Sequence, residues 1–306
     1  MKKVLFATTA LVATASVAAA DVTFGGYGRF GVLYTDVAGV DDTNITSRFR
    51  LQIDATAESD AGVTFGARVR LEGEERDAAV GTRAAFNGVR YFARSGGFEV
   101  GVGNIFGALE FMPGMYPIDL GLTGHNYDYT AFNFRGDAYS SGGLGADGDN
   151  GVEVLYSMGD FSVHVSASDV SDRIAAHAAY SYNGWTFAVG AQDSDNDADT
   201  EFALSAGGSF GIADVTLAYA RNGDEDDGAG RGDHIVLAGR FDVGAATNVE
   251  AYIADADYWE DVSVGIDFNH DMGGGTSLRG GISSGGSLST ATDSGLAVDM
   301  GVRFNF

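Results

Sequence analysis

The feature that most constrains this chain is a two-residue hydrophobic alternation that starts at Val22 and recurs, segment after segment, as far as Phe306. In the first segment Val22, Phe24, Phe30, Val32 and Tyr34 share one parity with Gly26 and Gly28, against Thr23, Tyr27, Arg29 and Thr35. In the second, Ile45, Phe49, Leu51 and Ile53 oppose Thr46, Arg48, Arg50, Gln52 and Asp54. In the third, Val63, Phe65, Ala67, Val69 and Leu71 oppose Thr64, Arg68, Arg70 and Glu72. Successive side chains of a strand point to opposite faces, so each segment reads as a strand with one apolar face. The pattern predicts sixteen strands, and an even number returns both termini to one side of a closed sheet.

Charge placement says what faces the apolar side. Every charged residue assigned to a strand, from Arg29 through Asp54, Glu99, Glu153, Asp267 and Asp299 to Arg303, falls on the parity opposite its apolar series. Hydrocarbon enforces such segregation, since an arginine turned to mid-bilayer costs roughly 2–4 kcal/mol. A soluble sandwich core would exclude charge as well, so the connections matter. Short turns at Ser95–Gly97, Gly159-Asp160, Asn183-Gly184 and Gly211–Ala213 alternate with longer loops at Gly73–Ala84, Gln192–Asp199 and Asn222–Asp233. Aromatic residues (Tyr156, Phe161, Tyr180, Tyr182, Trp185 and Phe187) gather beside the short turns, as at a membrane interface. After Ala20 no run approaches the ~18 apolar residues of a membrane helix. A bilayer-crossing chain of this kind must therefore be a closed barrel, because only closure satisfies every backbone group.

Residues 1–20 read as a leader: Lys2 and Lys3, an apolar stretch from Val4 to Ala13, then Ala18-Ala19-Ala20 as a cleavage site. The domain reading is thus a signal peptide at 1–20 and a single barrel at 21–306. Those two lysines are the only ones, so every later cation is arginine, in a chain of formal net charge −25. Such acidity excludes non-specific nucleic-acid binding and suits a surface that faces outer-membrane lipid and metal-bridged lipopolysaccharide. With no cysteine there is no disulfide and no thiol nucleophile.

Motifs that imitate enzymes fail on context. Gly26-x-Gly28-x-x-Gly31 and Gly143-x-Gly145-x-x-Gly148 fit a dinucleotide fingerprint but open no helix. Gly207-x-Ser209-x-Gly211 and Gly281-x-Ser283-x-Gly285 imitate a nucleophile elbow, yet lie between strands rather than at a strand-to-helix turn. The five histidines show no zinc spacing, and His164 and His177 fall on the polar parity as solvated lumen residues. Asp193, Asp195, Asp197 and Asp199 supply hard oxygen ligands for a structural Ca2+, but lack the glycine and glutamate of an EF-hand; a solvated acidic loop explains them equally. No other cofactor is expected, nor enzymatic activity. A closed structural barrel or adhesin is the alternative to a pore, and an outer-membrane hydrolase the third.

Three stretches resemble the trimeric general porins of the Rhodobacter, alphaproteobacterial type. They are Thr46-Ser47-Arg48-Phe49-Arg50, Asp60 to Ala67, and the ending from Met272-Gly273-Gly274-Gly275 to Gly301-Val302-Arg303-Phe304-Asn305-Phe306. The resemblance implies a homotrimeric outer-membrane channel for passive diffusion of small hydrophilic solutes, with a third loop folded into the barrel. It also implies acidic loop residues facing a cationic wall. Asn104 to Glu110 looks like the start of that loop, with Glu110 at an acidic position, and Arg29, Arg48, Arg50 and Arg70 match cationic wall positions. Nothing like a plug precedes the first strand, so uncoupled passage is expected.

Counting along the strands adds Arg68 and Arg90 at a similar height, at ~3.3 Å per residue and ~40° tilt. So many like charges need counter-charges, and the loop from Asn104 to Gly151 offers Glu110, Asp119 and Asp128. The constriction set is therefore Arg29, Arg48, Arg50, Arg68, Arg70 and Arg90 against Glu110, Asp119 and Asp128. Alternatively the arginines only brace the wall by pairing with Asp54, Glu72 and Glu99. Weak cation selectivity is expected from the excess of acid.

Overall fold

The computed structural model describes residues 20–37, 40–75, 84–134, 150–169, 172–195, 199–224, 230–286 and 295–306. Each predicted alternating segment is a strand, and all pairings are antiparallel between chain neighbours, with β1 (Ala20–Val37) closing the sheet against β17 (Leu296–Asn305). No α-helix occurs among the described residues. Seventeen strand segments occur among the described residues. The extra one, β4 (Ala84–Phe86), pairs with β3 (Thr64–Glu75), and so does β5 (Arg90–Ser95). These two pieces form one interrupted stave of a sixteen-stranded barrel. Three residues are too few to show a period, so the alternation gives no sign of β4.

The barrel closes at Arg29, which faces Arg303 on β17 and Arg48 on β2 (Val40–Glu58). The first hairpin is taller than the alternation suggested: pairing runs on to Val37 and Val40, past the Thr35 and Ile45 where the sequence pattern fades. Polar residues on both faces of Asp41–Asn44 explain the fading, since above the bilayer no solvent imposes an apolar side.

The remaining wall is β6 (Phe98–Gly103), β7 (Gly151–Met158), β8 (Phe161–Ser168), β9 (Arg173–Tyr182), β10 (Trp185–Asp193), β11 (Glu201–Phe210), β12 (Ala213–Arg221), β13 (Asp233–Asp242), β14 (Thr247–Ala256), β15 (Ser263–Gly273) and β16 (Thr276–Ser284). Short turns join strands at the end that carries both termini. Asn183 (φ 50°) and Gly184 (φ 81°) make a two-residue turn with both φ positive, the geometry whose twist matches paired strands. Phe306 completes closure by exchanging backbone hydrogen bonds with Gly26, at 3.0 and 3.1 Å.

Large apolar side chains cover the outside: Phe24, Val32, Phe65, Ile174, Leu204, Leu237 and Ile266 are all exposed. In water this would be a severe liability; in hydrocarbon it is the required surface. Replacing Leu237, in the middle of β13, by arginine is expected to weaken the barrel by about 2–4 kcal/mol in lipid. Denaturant titration of protein folded into vesicles measures this; an unchanged midpoint would mean that Leu237 faces no hydrocarbon.

The core lies inside the barrel. Residues 104–134 enter the lumen, and Ile105, Leu109, Met112, Met115, Leu120, Tyr129 and Phe132 bury themselves there. All of these but Ile105 pack on inward-facing alanines of β9 to β14, among them Ala175, Ala188, Ala203, Ala220, Ala238 and Ala254. The inner wall is thus not uniformly polar: where the loop rests, it is small and apolar. His164 and His177, expected to be solvated in the lumen, are instead buried beneath the loop at 1% and 7% exposure.

Candidate pore constriction

Backbone folded into a barrel must find hydrogen-bond partners away from its own ladder, and inward side chains provide them. At the loop's entry, Glu153 accepts from the Phe106 amide (3.0 Å), Arg90 Nε (2.5 Å) and the His164 ring (2.8 Å). Ser166 Oγ accepts from the Ala108 amide at 2.9 Å, and His177 Nδ1 lies 2.5 Å from the Ala108 carbonyl. Further along, Ser205 Oγ donates to the Pro113 carbonyl. The loop's middle is held by three wall carboxylates, of which Glu250 accepts from the Asp119 amide at 3.0 Å. Asp267 accepts from the Gly121 amide (2.6 Å), and Asp299 from the amides of Leu122 and Thr123 and from the Thr123 hydroxyl (3.0, 2.7 and 2.7 Å). Asp299 also takes the Gly281 amide at 3.0 Å and lies 3.3 Å from His125 Nε2. Leu122 fits where the wall carries Gly31 opposite Gly301; a β-carbon on either would lie 2.6 Å from its Cδ2. On leaving the lumen the loop is met by Asn222, whose side chain accepts from the Asn133 amide (3.2 Å) and donates to the Ala131 carbonyl (3.0 Å).

The loop so anchored leaves an opening of about 710 Å³ against β2 and β3. Arg48, Arg50 and Arg70 line its wall side, and Glu110, Phe111, Tyr116 and Tyr127 its loop side. Glu110 accepts a hydrogen bond from Tyr116 at 3.0 Å, which fixes the carboxylate toward the opening. The guanidiniums are braced by their own wall: Arg48 pairs with Glu74 and Arg50 with Glu72, while Arg70 Nε donates to Gln52 at 3.0 Å.

The other predicted constriction residues stand elsewhere. Arg29 turns under the loop and donates to the Leu122 carbonyl. Arg68 pairs with Asp54 at 2.6 Å beside the Phe106 ring. Arg90 is buried between Glu99 (2.6 Å) and Glu153, its guanidinium 3.9 Å from the centre of the Phe106 ring. Asp119 sits across the lumen, bridging Arg279 (2.7 Å) and Arg303 (2.8 Å). Asp128 is buried and accepts from Ser263 Oγ at 2.9 Å. Register explains the spread. Arg29 faces Arg48, which faces Glu74, whereas Arg68 faces Arg90; Glu74 and Arg68 are about 20 Å apart along β3 at ~3.3 Å per residue. The arginines form a ladder up the wall rather than one ring.

Wall pairing is therefore real for Arg48, Arg50, Arg68 and Arg90, and it coexists with the opening lined by Arg48, Arg50 and Arg70. The anchoring residues Glu153, Asp267, Asp299 and Asn222 were not predicted as site residues. The available signal was an inward carboxylate in a strand otherwise poor in charge, such as Asp299 between Leu296 and Met300. Of the acidic loop, Asp193 accepts from Thr200 Oγ1 at 3.2 Å, while Asp197 lies outside the described residues. No group of three or more metal-ligating side chains occurs among the described residues.

A closed antiparallel barrel, apolar outside and charged inside, with a loop laid across its lumen, defines a water-filled transmembrane channel. Comparison with known proteins agrees. A family model described as Gram-negative porin matches residues 7–286. The porin of Fuscovulum blasticum is 30% identical over 311 residues, covering 94% of this chain and 100% of that one. The porin of Rhodobacter capsulatus is 28% identical over 324 residues with the same coverage. A solved structure of a mutant Rh. blastica porin superposes with a TM-score of 0.80 at 28% identity, again over 94% and 100% of the two chains. The chain belongs to the Gram-negative porin family. It is an outer-membrane channel protein and not an enzyme, so the adhesin and hydrolase alternatives fall away.

Proposed function

We propose that Arg48, Arg50 and Arg70 on the wall and Glu110 on the loop form the constriction through which small hydrophilic solutes and ions diffuse. The observation that carries this reading is an opening with three guanidiniums on one side and a tethered carboxylate on the other. Opposite charges held apart by rigid elements set a field across the path, which orients water and dipolar solutes and disfavours apolar ones. The strongly acidic chain concentrates cations at the mouths, so net passage is weakly cation-selective. Replacing Arg48 and Arg50 together by glutamine should widen the opening, raise conductance and shift the zero-current potential in a KCl gradient toward cation preference. The shift should be large near 0.1 M salt, where the Debye length is about 10 Å, and fade at 1 M, where it is about 3 Å. An unchanged reversal potential at low salt would remove these arginines from the path.

By the same reading, residues 1–20 are removed on export, three copies assemble as a trimer, and the acidic external loops contact lipopolysaccharide through divalent cations, with Asp193, Asp195, Asp197 and Asp199 as candidate Ca2+ ligands. Resemblance supports the trimer, and net charge supports the lipid contact. Cross-linking in native membranes that yields only monomers would refute the trimer.

A further inference from the structure

A smaller cavity, of about 250 Å³, shares Tyr116 and Tyr127 with the constriction opening and lies toward the end of the barrel away from the short turns. Its walls are aromatic. On the loop, Tyr116 and Phe134 stack at 5.4 Å with their planes 3° apart, and Tyr127 meets Tyr116 edge-on at 6.3 Å. The connection that follows β14 adds Tyr258 and Trp259, whose rings are 5.7 Å apart and nearly perpendicular. The Tyr258 hydroxyl lies 2.9 Å from His234 Nδ1, which fixes that wall. Tyr127 (φ 60°) and Phe134 (φ 54°) both hold left-handed backbone, a strained conformation for a bulky residue, and both line this one cavity.

Two polar atoms among the lining residues point to a ligand. Thr130 is 5% exposed, and its hydroxyl has no hydrogen-bond partner. The buried indole Nε1 of Trp259 likewise has none. Buried polar groups are ordinarily paired, and an orphan costs free energy that a bound group recovers. The indole N–H can only donate, whereas the threonine hydroxyl both donates and accepts. Asn126, exposed on the same cavity, brings an amide with two donors and an acceptor.

We propose that this cavity binds one pyranose ring of a neutral monosaccharide. A pyranose is amphipathic in the same way as the lining: its ring C–H groups form an apolar face that rests on an aromatic ring, while the hydroxyls at its rim donate and accept. A flat hydrocarbon ring would stack but leave both orphans unpaired, and an organic cation would give the indole N–H no acceptor. The volume falls just under the ~300–1,000 Å³ of drug-sized ligands, so the cavity takes a single ring rather than a chain. Because Tyr116 and Tyr127 also line the constriction opening, the occupant arrives with the channel water and not from the lipid side. The arginine wall does not line this cavity, so the site is independent of the selectivity reading above.

The protein has two tryptophans, so W185F leaves Trp259 as the sole indole reporter. Titrating the whole W185F protein in detergent with D-glucose should change its emission saturably, while mannitol, an open-chain polyol, should not. In planar bilayers glucose should lower the KCl current of single channels with the same half-saturating concentration. That concentration should rise about three- to tenfold in T130V, which loses one hydrogen bond. In W259A, which loses the stacking face as well as the N–H, it should rise roughly tenfold or more. W185F alone should leave the block as it is. Stable channel steps in KCl verify that each variant folds; if W259A gives none, T130V decides. An emission that does not saturate, an equal response to mannitol, or a block unchanged in T130V and W259A would overturn the proposal.

Discussion

Asp299→Ala is expected to release the middle of the lumen loop while leaving the barrel wall standing. This one carboxylate accepts from the backbone at Leu122, Thr123 and Gly281 and from the Thr123 hydroxyl, and faces His125. Hydrogen bonds to a charged group contribute about 1.5–3 kcal/mol each, and those sharing one acceptor are not additive. A loss of about 3–5 kcal/mol in the loop's attachment is therefore expected. Leu122 would leave its seat at Gly31 and Gly301, and Arg29 would lose the carbonyl it holds. Single-channel recording should show a larger mean conductance and frequent transitions between current levels. Asp299→Asn, which keeps one acceptor oxygen, should fall between. A D299A channel with native conductance and quiet current would mean that the loop is held by its apolar seat alone.

Glu153→Leu should produce a large loss of stability. It removes the carboxylate that joins Arg90, His164 and the Phe106 amide, and leaves a guanidinium of 4% exposure with Glu99 as its remaining ion-pair partner. Removing one member of a buried ion pair costs about 3–5 kcal/mol because the other charge stays buried. Removing both members with apolar replacements of similar size costs much less. Glu153→Leu combined with Arg90→Met should therefore be more stable than Glu153→Leu alone, read from unfolding midpoints in detergent. If the double variant is the less stable of the two, Arg90 is not the stranded charge and the account of this anchor is wrong.

What could be read from the sequence was what a solvent enforces at every second residue. Lipid imposes its demand strand by strand, so the outward series at Val22–Tyr34, Phe161–Ala167 or Val262–Phe268 was plain without any knowledge of the fold. The charged parity was equally plain, and Asp54, Glu72 and Glu99 could be named as wall partners because they sit on neighbouring strands. Glu74 escaped because the alternation breaks at Gly73. Arg90 and Asp128 could not be placed, because their environment is made by a loop whose path no local pattern encodes. Likewise Ala203 and Ala220 look unremarkable until Leu109, Met112 and Met115 are laid in the lumen. His164 and His177 had the right face and the wrong surroundings for the same reason.

The alanine seat has a consequence before the barrel exists. Because β9 to β13 carry large apolar residues outward and alanines inward, segments such as Ile174–Tyr180 and Ile235–Ala238 have little charge on either side. In aqueous transit, with neither lipid nor loop to cover them, these are the stretches with high β-propensity, few charges and no proline that pair most readily with other chains. The arginine-rich first three strands repel such pairing. The half of the barrel that cradles the loop is therefore the half most prone to pair with other chains before the barrel closes.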